Sequence, residues 1–177
     1  MTFTPHQFLV KASKIKNTDR TLTKIDATAG LGEDVLLLAA AGFPVQLHEY
    51  DPVIAALLRD ALRRAAELPE LAAIVGLKDD SRTALPELTA PPDVILFDPM
   101  FPERQKSALI KKKFQLLQNS ERLCADETDL VNAAIAEHPH KVVIKRPHLA
   151  DAKPNYSLKG KTIRYDCLGL PQSYVYV

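Results

Sequence analysis

The sequence is poor in cysteine: Cys124 and Cys167 are the only two in 177 residues. Two thiols so far apart provide neither a metal-ligand spacing nor a disulfide framework, and a reducing compartment keeps such thiols free. Long apolar runs are missing as well. The longest lies around residues 35 to 41, far short of the roughly 20 residues a bilayer crossing needs. The chain does not open on a basic stretch followed by an apolar run and a small-residue cleavage site, so no secretory signal and a cytoplasmic location are expected. Excess charge is absent too, because 23 Lys and Arg against 22 Asp and Glu leave a formal +1. The five histidines have no ligand spacing and no nucleophile partner, and Ser107 has no evident base beside it. Neither a metal centre nor a nucleophilic triad is expected. Repeats, low-complexity stretches and linkers are also lacking. The expectation is one domain over residues 1–177, with residues 1–23 as a short amino-terminal extension.

What the chain does have is alternation of strand-like and helix-like segments. "KIDATAG" (24–30) reads as a strand entering a glycine turn, and "EDVLLLAAAG" (33–42) as a buried helix stopped by Gly42. "PVQLHEY" (44–50) alternates like a strand. Asp51 and Pro52 then supply an N-cap and a first helical residue, ahead of Ile54, Leu57, Leu58, Ala61, Leu62 and Ala65 at helical spacing. "LAAIVGL" (71–77) is a third strand, ambiguous with helix because of its alanines. "DVILF" (93–97) and "KVVIK" (141–145) are short, β-branched and buried in character, with helix predicted across 103–138 between them. "TIRYDCL" and "QSYVYV" near the end alternate like antiparallel strands. The fold class expected is α/β: a Rossmann-like, doubly wound, mostly parallel sheet with an antiparallel edge strand.

In such sheets ligands sit beyond the carboxyl ends of the strands, at the switch point. "DATAGLGED" (26–34) occupies that place after the first strand, beginning with Asp26. Gly30 and Gly32 permit a tight turn and close backbone approach. A dinucleotide fingerprint asks for a third glycine at position 35, where this chain has Val35. Glu33 and Asp34 open the next helix, where a pyrophosphate needs free N–H groups and no competing anions. The pair would repel a pyrophosphate and receive an ammonium, a demand that S-adenosylmethionine meets. The same acids also complement the helix dipole. Glu49, with Tyr50 beside it, ends the second strand about 20 residues past the glycine turn, the spacing at which an acid reaches ribose hydroxyls. Asp80 and Ser81 follow the third strand and are placed to face the adenine.

The fourth strand runs into "VILFDPMFP" (94–102). An exocyclic amine is a poor nucleophile because its lone pair is delocalised into the base. Asp98 can accept one hydrogen bond from such an amine and the Pro99 carbonyl another, favouring the less conjugated geometry. Pro99 stiffens the turn, and Phe101 offers a face on which an extruded base can stack. Transfer is then an in-line displacement governed by positioning. An isolated "DPMF" would equally serve as a strand-ending turn with its aromatic ring in the core. Arg104, Lys106, Lys111, Lys112 and Lys113 follow this motif, and Lys145 and Arg146 follow the fifth strand. Placed beside the cleft, they are candidate phosphate contacts, although a lysine run also makes an ordinary solvated helix face. Lys159, Lys161 and Arg164 in "NYSLKGKTIR" (155–164) extend the set.

"DATAGLGED", "EYDPVIAALL", "DPMFPERQKSALIKKK" and "VVIKRP" together resemble the bacterial 16S rRNA guanine-N2 methyltransferases of the small-subunit J type, over roughly residues 7 to 170. The resemblance implies a class I methyltransferase fold and S-adenosylmethionine as cofactor. It also implies small-subunit ribosomal RNA, or the 30S particle, as partner. Family cofactor contacts fall on Glu33, Asp34, Glu49, Tyr50, Asp80, Ser81 and Asp98. Here Glu33 stands where arginine is common in that family, and "EYD" where "ERN" is more usual. From the residues themselves, an adenine-N6 or small-molecule amine methyltransferase and a non-catalytic RNA-binding module both stay open.

Overall fold

A computed structural model of the chain describes residues 5–99, 127–147 and 153–170. Met100, Phe101, Arg104, Lys106, Lys111, Lys112 and Lys113 lie outside the described residues, as does the strand expected at 172–177. Seven strands form one sheet: β1 (Lys24–Asp26), β2 (Val45–His48), β3 (Ile74–Lys78), β4 (Val94–Phe97), β5 (Lys141–Pro147), β6 (Tyr156–Lys159) and β7 (Ile163–Gly169). Their spatial order is β3-β2-β1-β4-β5-β7-β6. The first five strands pair in parallel, and β7 and β6 close the sheet antiparallel. The helices are α1 (Pro5–Ala12), α2 (Glu33–Ala40), α3 (Pro52–Arg64), α4 (Ser81–Ala84) and α5 (Glu127–Ala136), with a 3-10 turn at Pro69–Leu71.

Period-two alternation divides the buried side chains into two cores. Val94 and Leu96 of β4 join Leu9, Val35, Leu38, Leu47, Leu58 and Val143 on the face covered by α1, α2 and α3. Ile95 and Phe97 join Ile25, Leu85, Ala134, Val142 and Ile144 on the face covered by α4 and α5. All four residues of β4 are buried, which is why "VILF" shows no alternation in sequence.

The helix boundaries follow local chemistry. Asp51 accepts from the Val53 and Ile54 amides at 2.8 and 3.0 Å, and Pro52 supplies the first turn of α3. Gly42, at φ 81°, ends α2. Its N–H donates to the Ala39 carbonyl at 2.8 Å and the Phe43 N–H to the Leu38 carbonyl at 3.1 Å, the paired bonds of a Schellman ending.

Two segments differ from expectation. Residues 69–71 form a 3-10 turn and the third strand starts only at Ile74, because Pro69 fixes a turn ahead of the edge strand. β7 pairs antiparallel with β5 on one side and on the other with Tyr156–Lys159, inside the stretch set aside as a basic flank. Its lysines obscured a hairpin, which closes through the Gly160 N–H donating to the Ile163 carbonyl at 2.8 Å.

Candidate active site

The strand order reverses between β1 and β4, and the chain leaves both strands at the same end of the sheet. The turn after β1 is built from backbone. Gly30 and Gly32 take φ 55° and 82°, left-handed conformations that L side chains adopt only with strain. The Ala27 N–H donates to the Leu96 carbonyl and the Ala29 N–H to the His48 carbonyl, each at 2.9 Å, so the turn is held by β4 and β2 alike. Thr28 completes the link, accepting the Asp98 N–H on its hydroxyl at 2.7 Å.

Acids gather around this turn. Asp26 is buried, and its Oδ1 accepts the Thr28 N–H at 3.1 Å. Burial, reinforced by the nearby Asp34 and Asp98 charges, pushes its carboxyl up to about 7. Glu49 accepts the Gly30 N–H on Oε2 at 2.7 Å and the Asp51 N–H on Oε1 at 2.8 Å. Burial raises the Glu49 carboxyl, and these N–H donors oppose the rise. The Tyr50 N–H bonds the same carboxylate, and the remaining acceptor capacity leaves Glu49 aimed by the backbone and still able to accept a hydroxyl group.

Lys145 meets two of the acids at once. Its ammonium lies 2.7 Å from Asp98 Oδ2 and 2.9 Å from Asp34 Oδ2. Asp26, Asp34, Leu96, Asp98, Lys145 and Tyr165 line one small cleft there, with Leu9 of α1 beside them. Farther along the sheet edge, Asp80 caps α4 through the Arg82 N–H at 3.0 Å and pairs with the Arg82 guanidinium at 2.7 Å. That guanidinium sits 5.3 Å from the centre of the exposed Tyr50 ring. Ser81 is buried and its hydroxyl donates to the Ala27 carbonyl, tying α4 to the glycine turn.

The residues read from sequence as cofactor contacts thus surround the carboxyl ends of β1 to β4. Two details change. The Ser81 hydroxyl is engaged by the Ala27 carbonyl, so it braces the wall of the glycine turn. Lys145 and Arg146, joined in sequence as phosphate contacts, point to opposite faces of β5, as neighbours on a strand must. Lys145 enters the cleft, whereas Arg146 lies with Arg164 against buried Asp166, at 3.4 and 2.9 Å. Arg164 is itself buried, so it leaves the proposed RNA-contacting set. Thr28, Tyr165 and the cleft-facing role of Lys145 were missed. The parallel pairing of Phe97 with Ile144 puts Asp98 and Lys145 side by side, a register that sequence alone does not give.

The donor set suits a ligand carrying positive charge and a diol: carboxylates at four strand ends, a glycine turn open to close approach, and acids where a pyrophosphate would need bare amides. With this strand order, the site defines a class I methyltransferase dependent on S-adenosylmethionine. Residues 2–169 match the family described as "Putative SAM-dependent methyltransferase". A ribosomal RNA small subunit methyltransferase J from Rhodopseudomonas palustris (strain TIE-1) is 45% identical over 175 residues, covering 93% of this chain and 84% of the relative. Another from Thioalkalivibrio sulfidiphilus is 43% identical, covering 89% of this chain and 66% of the relative. The chain belongs to the ribosomal RNA small subunit methyltransferase J family. Among solved structures, a SAM-dependent methyltransferase from Neisseria gonorrhoeae superposes with a TM-score of 0.68 at 32% identity, covering 88% of this chain and 63% of that one. The rRNA methyltransferase aviRa from Streptomyces viridochromogenes shares the fold, with a TM-score of 0.57 at 14% identity over 96% of this chain and 86% of that one.

Proposed function

We propose that the chain methylates the exocyclic N2 amine of a guanosine in small-subunit (16S) ribosomal RNA, and that it does so in the cytoplasm. The carrying observation is Asp98, held at the switch point by Thr28 through its backbone and by Lys145 through its side chain. Asp34, Glu49 and the Gly30–Gly32 turn would hold S-adenosylmethionine, with Asp26 behind them and Tyr50 and Asp80 at the rim. The cofactor supplies a methyl group on a sulfonium leaving group. The chain's own part is to position. Asp98 accepts an N–H of the target amine, the Pro99 carbonyl accepts the second, and the nitrogen lone pair is turned toward the methyl carbon. Once the amine has received the methyl group that the sulfonium would give up, the surplus proton would leave the nitrogen along one of these hydrogen bonds. Phe101, outside the described residues, is the ring proposed to stack on the base.

The names carried by the relatives support ribosomal RNA as substrate, and the basic residues after Asp98 fit a polyanion better than a small amine. The test is methyl transfer from labelled S-adenosylmethionine to small subunits and to free RNA, followed by nucleoside mass spectrometry. N2-methylguanosine is expected. Asp98→Ala is expected to lower kcat/KM by about 10²-fold or more while binding the RNA normally. N6-methyladenosine would keep the chemistry and overturn the substrate.

A further inference from the structure

We propose that Lys145 is a positioning residue for Asp98, holding that carboxylate charged through Oδ2 so that Oδ1 stays available to the target amine. This rests on the methyltransferase reading of the cleft and assigns a role to a residue that sequence had grouped with the phosphate contacts.

Register brings the two together. β4 and β5 run parallel with Phe97 beside Ile144, so Asp98 and Lys145 leave the sheet as neighbours. On its other side β5 pairs with β7, which sets Lys145 opposite Tyr165, a residue 3% exposed. The Asp98 backbone is fixed independently by Thr28 at 2.7 Å. Its Oδ2 takes the ammonium at 2.7 Å, and among the described residues no hydrogen bond reaches Oδ1. A lysine meant for phosphate stands out into solvent. This one is 22% exposed and is committed to two carboxylates.

The surroundings show why a cation is needed there. Asp98 faces Lys145 from β5, Asp34 and Glu33 from α2, Asp26 from β1 and Tyr165 from β7. Burial raises its carboxyl and the two α2 acids raise it further, while Lys145 alone among these opposes them. Burial likewise disfavours the ammonium, but Asp98 and Asp34 outweigh it and raise the Lys145 pKa. A neutral carboxyl spends one oxygen on its own proton and loses acceptor capacity, so removing the cation should silence Asp98 toward higher pH.

The decisive measurement is a carboxyl-carbon NMR titration of Asp98 in the protein free of cofactor and RNA, run beside pH profiles of methyl transfer. Lys145→Met should move the Asp98 midpoint, and with it the acid limb of kcat/KM, up by about one pH unit or more. Lys145→Arg should return both to within about half a unit, since the charge is restored. The salt dependence of RNA affinity should not change. If Lys145→Met fails to fold, Asp34→Asn provides the second arm. With one like charge gone and the ammonium left to Asp98, the midpoint should fall. A midpoint indifferent to both substitutions would overturn the role, and so would a salt slope shallower by about one in Lys145→Met, which marks a lost phosphate contact. Absent methyl transfer by the unaltered protein, with the titration shift intact, would overturn the reaction and the role assigned within it.

Discussion

Asp26 sits between Lys24 and the glycine turn with its carboxyl buried and raised to about 7. The sign of its effect on stability follows from which state binds the proton more tightly. Between the unfolded value near 4 and the folded value near 7, the folded protein holds this proton and the unfolded chain releases it. Stability from this group is therefore present at low pH and declines as pH rises through that window. His48 works the other way. Burial lowers it to about 4, so its contribution is lost as pH falls below its ordinary value. The two overlap, which makes a single pH profile uninformative. The difference between wild type and Asp26→Asn isolates the carboxyl. From pH 5 to pH 8 the wild type should lose about 2–4 kcal/mol relative to the variant, measured by urea unfolding at each pH.

At the scale of the element, α2 is bounded by two left-handed glycines with different surroundings. Gly32 stands at its amino end with φ 82°, and a Cβ there would lie 2.9 Å from Leu58 Cδ1. Gly42 closes the other end at φ 81°, and a Cβ there would meet nothing within 4 Å. Gly42→Ala should therefore cost about 1 kcal/mol from backbone conformation alone. Gly32→Ala should cost more, about 1–3 kcal/mol, because the buried tip of the Leu58 side chain must also shift, and denaturant midpoints of the pair would show the difference. Both glycines were legible in sequence, as were the Asp51–Pro52 start of α3 and the buried β4 and β5. What was not legible had a physical cause in each case. The β6 strand was hidden because an exposed edge tolerates lysine, so Lys159 and Lys161 read as a charged flank. The Ser81 hydroxyl could not be oriented from sequence, since a serine after an N-cap faces solvent or backbone according to packing. Lys145 was found as a cation but misjudged in purpose, because its partners lie 47 and 111 residues away.

Over the whole molecule, the two ends of the sheet divide their tasks. At the amino end, Asp93 anchors the entry to β1, taking Arg20 at 2.8 Å and the Thr23 N–H at 2.7 Å, and its carboxyl is held below the usual range despite burial. At the carboxyl end, Asp26, Asp34, Glu49 and Asp98 converge, Asp34 and Asp98 sharing the Lys145 ammonium, and this is the end proposed to carry the chemistry. Near-neutral overall charge is compatible with an RNA substrate because it averages an acid-lined cleft against the basic residues proposed to contact RNA. Replacing Lys111, Lys112 and Lys113 by alanine should weaken RNA binding and flatten its salt dependence by up to about three in slope, with cofactor affinity unchanged in a binding titration. Among the described residues no helix is long and apolar enough to cross a membrane.

Residues 27 to 30 are each bonded to a surrounding element: the Ser81 hydroxyl donates to the Ala27 carbonyl, the Asp98 N–H donates to the Thr28 hydroxyl, and the Ala29 and Gly30 N–H groups donate to the His48 carbonyl and the Glu49 carboxylate. Four consecutive positions thus serve as the gauge against which the cofactor wall and the target-facing turn are both measured. Loops elsewhere can lengthen without consequence for that gauge. Inserting or deleting one residue here would put every one of those partners out of step, so the length of this turn couples the cofactor wall to the target-facing strand end.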